Sequence, residues 1–306
     1  MSFKKLLLPL GIIIAIIFSL IIPYPGILVG KYYGISITVI AIFLVYGYTH
    51  DFKKLKRNKN ILSILITATV VSLFLGPLLG LAVSYVMLPS YAMVGLIVVS
   101  SMPPTLSSGV VLTEVAGGNA LLAIIITIFL NIIAIFVIPT TLHFSLGSLD
   151  VSGLSPFDLF IKLSIIVLIP LIIGFCIKKI SIKHINNYTI SLIPTICVIL
   201  AIWICMSRSA TFLKNISMGS LLIIILSIII VHFLLLIINY TAGTVFKFKS
   251  EDKKALVFVG SQKTLPLAAF IVISISSNNP VALVVCVLFQ ILQILIDSII
   301  AAKVSR

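Results

Sequence analysis

Two polar stretches interrupt otherwise apolar sequence: SSMPPTLSSGVVLTEVAGGNA at 100–120 and VGSQKTLPLAAF at 259–270. Pro103 and Pro104 have no backbone N–H and so free carbonyls upstream of them. Inside a membrane, freed carbonyls must face a polar cavity or a partner helix, and they can coordinate a cation. Ser101, Thr105, Ser107 and Ser108 add hydroxyl oxygens to the first stretch, and Thr127 adds one in the span that follows. Ser261, Gln262 and Thr264 do the same in the second, ahead of Pro266. Pro103, Pro104 and Pro266 are the helix-breaking residues of this reading. Where opposed half-helix ends meet, carbonyl ends suit cations and N–H ends suit anions. Taken singly, each proline is as well explained by a packing kink and each hydroxyl by helix–helix adhesion. The matched pair of breaks favours an ion or ligand site.

Lys263 is the sharpest single residue. A lysine at the centre of an apolar span costs at least about 2.5–3.5 kcal/mol, so it must be paired, neutral or in water. Its functional readings are a contact for a substrate anion, a proton carrier, or a fixed surrogate for a bound cation. The structural reading is a lysine donating to carbonyls of the first break. Glu114 either pairs with Lys263, lines an inner vestibule or sits at the membrane interface. Asn119, after Gly117 and Gly118, is an N-cap candidate beside the first break. His232 suits a proton relay or a plain interhelical hydrogen bond. Asp297, a turn or more from the cytoplasmic end of its span, is within reach of the interface. Cys176, Cys197, Cys205 and Cys286 form no CxxC pair and read as buried packing thiols.

The elements that carry these residues are legible from composition. The chain is 61% hydrophobic and 9% charged, against about 25% charged in a soluble domain. Residues 61–113 and 215–246 hold no charged residue, and about 20 apolar residues cross a bilayer as a helix. The class is an all-α polytopic membrane protein. The N-terminus has the look of a signal peptide but no small-residue cleavage site, which favours a retained first span. Ten spans are predicted: 6–23, 32–49, 61–86, 90–116, 119–143, 156–177, 187–207, 217–246, 255–276 and 280–302. With the N-terminus inside, 16 of the 21 Lys and Arg residues fall on cytoplasmic segments. Four fall outside, Lys31, Lys162, Arg208 and Lys214, and Lys263 lies within a span. This asymmetry places both termini in the cytoplasm. It explains the basic excess without nucleic acid as a partner.

Five spans make an odd number, so a second set of five enters from the opposite face. Residues 1–149 and 150–306 are the two expected repeats, joined through FSLGSLDVSGLS at 144–155. Each has a polar break in its fourth span and an asparagine just before its fifth, Asn119 in GGNALLA and Asn279 in SNNPVAL. The fifth spans carry amides: Asn131 in one, Gln290 and Gln293 in the other. Ser107 and Lys263 each lie roughly 13 Å from the cytoplasmic end of their spans at helical rise. Spans 4 and 9 are therefore expected to be discontinuous and crossed. Inverted repeats with interrupted helices point to a transporter binding site.

The order MLPSYAMVGLIVVSSMPPTLSSG…GGNALLA, then GSQKTLPLAA, resembles the bile acid:sodium symporter family (solute carrier family 10), closest to its member 7-like branch and bacterial relatives. The resemblance implies ten helices in two inverted five-helix repeats, with spans 1, 2, 6 and 7 as a panel and 3–5 with 8–10 as a core. It implies a sodium-coupled symporter of a small organic anion in the lipid bilayer of the cell membrane, with no cofactor. Its first sodium site maps approximately onto Ser107, Ser108 and Thr127, with Phe258 where the family has a ninth-span glutamate. Its second maps onto Gln262 and, on the third span, Ser72. Lys263 replaces an uncharged amide. Phenylalanine cannot ligate sodium and an ammonium repels it, so the coupling ion is left open between sodium and proton. The alternative is a regulatory membrane protein that keeps the fold without transporting. An intramembrane enzyme is the weakest reading, because HExxH and GxSxG are absent and the four histidines are scattered.

Overall fold

The computed structural model describes residues 3–49, 60–147, 155–180, 187–275 and 279–305. Among them all regular structure is helical. In chain order the helices are α1 (Phe3–Ile21), α2 (Pro23–Lys31), α3 (Gly34–Thr49), α4 (Ile61–Met87), α5 (Ser90–Ser100), α6 (Ser108–Val115) and α7 (Ala120–Gly147). Then follow α8 (Pro156–Ile180), α9 (Asn187–Arg208), α10 (Ala210–Asn215), α11 (Met218–Val245), α12 (Ser250–Ser261), α13 (Leu265–Ile275) and α14 (Pro280–Val304). Among the described residues six segments are long and apolar enough to cross a membrane: α4, α7, α8, α11, α12 with α13, and α14. The bent pair formed by α1 and α2 makes a seventh. Large apolar side chains such as Ile14, Val86 and Phe144 are exposed by 65%, 84% and 80%. An outward face of that kind suits lipid and is foreign to a soluble monomer. The chain is a multi-pass membrane protein.

Two helices were not expected from the hydropathy. Pro23 and Pro25 start α2, which turns 99° from α1; proline fits a first helical turn and cannot continue a preceding one. The second is the short α10. Asn119 and Asn279 cap α7 and α14 in the same way, each side chain accepting from the backbone N–H three residues on, at 3.1 and 3.0 Å. The thiols of Cys197, Cys205 and Cys286 are buried as expected, but Cys176 is exposed on α8; it lies on the outward face of that helix, with Ile172 and Ile173.

Helices α1, α3, α8 and α9 pack on one another, while α4, α5, α11, α12 and α14 form a second packed group. The α3–α8 contact is backbone on backbone. A Cβ on Gly47 would lie 2.2 Å from Leu171 O, and one on Gly174 would lie 2.1 Å from Leu44 O. In the other group Gly76 lets α4 approach the Ser100 carbonyl, and Gly80 makes room for the Ser100 side chain. Small residues permit this closeness where lipid offers no hydrophobic drive for association.

Candidate functional site

The two polar stretches meet. Helix α5 ends at Ser100 and the chain stays non-helical until Ser108, while α12 ends at Ser261 and α13 begins at Leu265. The breaks touch through a backbone bond, Thr264 N to Pro103 O at 3.1 Å. Amides from the neighbouring long helices take up the exposed backbone. Asn131 Nδ2 donates to Pro104 O at 3.3 Å and to Thr127 O at 2.8 Å. Gln293 binds both polar groups of Lys263's backbone: Lys263 N donates to Oε1 at 2.8 Å, and Nε2 donates to Lys263 O at 2.6 Å. Leu265 N donates to Gln290 Oε1 at 3.2 Å. A primary amide carries a donor and an acceptor side by side and can replace a missing helical turn. Pro266 lies in the first turn of α13. It therefore does not make the break, as the sequence suggested; it begins the helix after it, where a missing N–H costs nothing.

Lys263 is fully buried. Its Nζ donates to Ser72 O at 2.6 Å, Ser72 Oγ at 3.0 Å and Met102 O at 3.0 Å. Three ammonium protons thus meet three neutral oxygens. Ser72 O is available for a local reason. Residues Val70–Leu75 of α4 are π-helical, and Gly76 N bonds Val71 O. The residue that would serve Ser72 O in that register is Pro77, which has no N–H. Gly76 leaves room for the ammonium; a Cβ there would lie 3.0 Å from Nζ.

Gln262, also fully buried, links the first break to a buried acid. Its Oε1 accepts from Thr105 Oγ1 at 2.6 Å and from Ser108 Oγ at 2.8 Å; those two hydroxyls also contact each other. Its Nε2 donates to Asp297 Oδ2 at 2.9 Å, and Asp297 Oδ1 lies 2.8 Å from His232 Nε2. A carboxylate only accepts, so His232 Nε2 is the donor to it. His232 and Asp297 have no exposed side-chain surface, and His232 meets the Phe289 ring edge-on.

The structure therefore sorts the expected residues. Thr105, Ser108, Gln262, Lys263 and Thr264 come together. Asp297 joins them: it is fully buried within the helix bundle and tied to the breaks through Gln262. Its place was legible, because Gln290, Gln293 and Asp297 stand at i, i+3 and i+7 on one face of α14. The others take different partners or face outward. Thr127 Oγ1 donates to Ala123 O on its own helix at 2.8 Å, and Ser107 is exposed. Glu114 is exposed and does not pair with Lys263. Asn119 caps α7 and donates to Asp252 Oδ1 at 2.8 Å, away from the breaks. Of the residues mapped to the first sodium site, Ser108 bonds Gln262, Thr127 Oγ1 bonds its own helix, and Phe258 is packed with Leu112, Ala116 and Ala301. The oxygen of Ser72, mapped to the second site, is taken by the ammonium.

Comparison with known proteins agrees with the motif resemblance. A sequence model of the SBF-like CPA transporter family matches residues 7–306. The chain is 32% identical to the probable sodium/metabolite cotransporter BASS4, chloroplastic, of Arabidopsis thaliana, over 95% of this chain and 71% of that protein. It is 30% identical to the protein of the same name in Oryza sativa subsp. japonica, over 96% and 74%. Sodium/bile acid cotransporter 7 of Rattus norvegicus is 31% identical over 56% of this chain and 52% of its own length.

Proposed function

The chain belongs to the SBF-like CPA transporter family, and from that premise we propose that it is a secondary active transporter of a small organic anion, working by alternating access about the paired breaks. Family and relatives are transporters, not enzymes. Ten spans in two inverted repeats, 1–149 and 150–306, are the architecture of this reading, with both termini in the cytoplasm of a cell whose plasma membrane holds the protein. The like-for-like devices of the two halves support it: the Asn119 and Asn279 caps, and the amides that bind each break. So do the two packing groups: the first holds helices of spans 1, 2, 6 and 7, and the second helices of spans 3, 4, 8, 9 and 10.

In this reading Lys263 stands in for a coupling sodium ion. The observation that carries it is the ammonium seated on Ser72 O, Ser72 Oγ and Met102 O. A tethered cation among freed carbonyls removes the need for a mobile one there. Thr105, Ser108 and Gln262 hold the two breaks in register beside it. The relatives' names include sodium, and this chain departs from them at that step. Uptake of radiolabelled pyruvate, succinate and taurocholate into proteoliposomes, with and without sodium, tests the proposal. Sodium-independent uptake that collapses in Lys263→Ala is expected, with a monodisperse variant as the folding control. Strict sodium dependence, unchanged in the variant, would overturn it. A pH gradient across the same vesicles then separates proton transfer from a fixed charge.

A further inference from the structure

The four basic residues outside the cytoplasmic excess are Lys31, Lys162, Arg208 and Lys214. Three of them, Lys31, Lys162 and Arg208, line one open cavity of about 920 Å³. They come from α2, α8 and α9 and converge where those helices and α3 face α13 and α14. This is the end of the bundle opposite Lys178, Lys179 and Lys303, which close the far ends of α8 and α14. Among the described residues no carboxylate lines the cavity. Asp158, one turn before Lys162, is engaged with Ser155 at the start of α8. Lys31 and Lys162 make no hydrogen bond or ion pair with the described residues. Arg208 runs along Gly30, where a Cβ would lie 3.2 Å from Arg208 Cδ, and its Nη1 donates to Gly30 O at 3.5 Å. Tyr33, also in the lining, holds a φ of 60°, a conformation rare for a tyrosine. The rest of the wall is largely apolar, with Ile27, Phe270, Ile273 and Leu283.

We infer that this cavity binds an anion carrying at least two negative charges beside an apolar body. Like charges in a partly enclosed, low-dielectric pocket attract a counter-ion far more strongly than the same charges scattered over a surface. A single carboxylate can serve only one of Lys31 and Lys162, and a compact polar dianion leaves the apolar wall bare. The volume fits a small organic molecule. Phe270 lies roughly 8 Å along α13 from Leu265, the first residue after the second break. An occupant therefore rests on the helix whose inner end is tied to Lys263. This deepens the transport reading by naming the charge class of its substrate, and it rests on that reading for its physiological meaning.

Calorimetric titration of the full chain in detergent tests it, using phenylsuccinate, succinate, phenylacetate and phenethylammonium as probes. Saturable binding of phenylsuccinate, about tenfold tighter than phenylacetate or succinate and weakened by salt, is expected. The double variant Lys162→Gln with Arg208→Gln should lose about tenfold or more, and the exposed Lys31→Gln should lose part of that. Lys214→Gln, outside the cavity, should leave binding unchanged. Equal binding of mono- and dianions, binding of the cation, or an equal loss in Lys214→Gln would overturn the assignment. Binding only of phosphatidylglycerol vesicles, with no phenylsuccinate site, would overturn it in favour of a lipid headgroup. The titration needs no flux. Dianion binding without uptake in proteoliposomes would sink the transport reading and leave the site standing, and uptake without dianion preference would do the reverse.

Discussion

Gln293 shows how a buried side chain can stand in for helical backbone. Its amide binds the N–H and the C=O of Lys263, the residue at the centre of the second break. Removing one partner of a buried pair exposes the other to its full desolvation cost, about 1–3 kcal/mol for each group. Gln293→Ala should therefore lower stability by about 2–6 kcal/mol, read as a large drop in the midpoint of thermal unfolding followed with a thiol-reactive dye. A wild-type midpoint would mean the break does not depend on this amide. Asp297 makes a second case. Its two oxygens serve two donors, His232 Nε2 and Gln262 Nε2. Asp297→Asn turns a donor toward one of them while keeping the shape. The variant is expected to remain folded and to lose most of its uptake, whereas Ser298→Ala, one residue on and exposed, should keep it. Full uptake in Asp297→Asn would remove the buried acid from the working part of the site.

Helices in this molecule approach one another at glycines. The α3–α8 crossing is limited by carbonyl oxygens, which no rotamer change can move aside. Gly47→Ala and Gly174→Ala should each cost about 1–3 kcal/mol, the usual cost of overpacking, because the helices must separate along their length. Gly219→Ala meets nothing within 4 Å and lies in the first turn of α11, so its unfolding midpoint should match or slightly exceed wild type. Equal behaviour of the three would contradict the close approach. The π-helical turn of α4 is the other feature of this scale. It and Pro77 together release the Ser72 carbonyl, so a helix irregularity and a charged side chain are parts of one device. Pro77→Ala restores an N–H to the helix and should weaken the hold on Lys263, lowering sodium-independent uptake before it affects folding.

The proposed orientation of the whole chain follows from where its lysines fall. With the four native cysteines replaced, Lys54→Cys and Lys31→Cys report opposite faces of the membrane. An impermeant maleimide added to intact cells is expected to label position 31 and to spare position 54. Labelling of 54 from outside would invert the topology and place the cavity of Lys31, Lys162 and Arg208 on the cytoplasmic side. The cavity lies between the two packing groups, so relative movement of those groups would open or close it. The breaks, tied by Thr264 N to Pro103 O, lie within the second group and its connections, where a rigid core would carry them as a unit.

Apolar content, charge distribution and the two polar interruptions are properties of short stretches, and they were legible from the residues alone. They determined the helical membrane class, the sites of both breaks, and Lys263 as the residue that needed an explanation. The family motifs were equally local. The alternation of amides and acid on one face of α14 was also present in the spacing, since residues at i, i+3 and i+7 share a helix face. What only the tertiary structure decided was partnership. Ser72 and Lys263 are 191 residues apart, and Thr105 and Gln262 are 157 apart. No local rule says which of several hydroxyls turns toward another helix and which, like Thr127, turns back to its own backbone. The same holds for the three basic residues that gather at one cavity from three helices. A short-range pattern sets what a segment is, whereas the choice of hydrogen-bond partner depends on which helices pack together and on the small residues that set their distance.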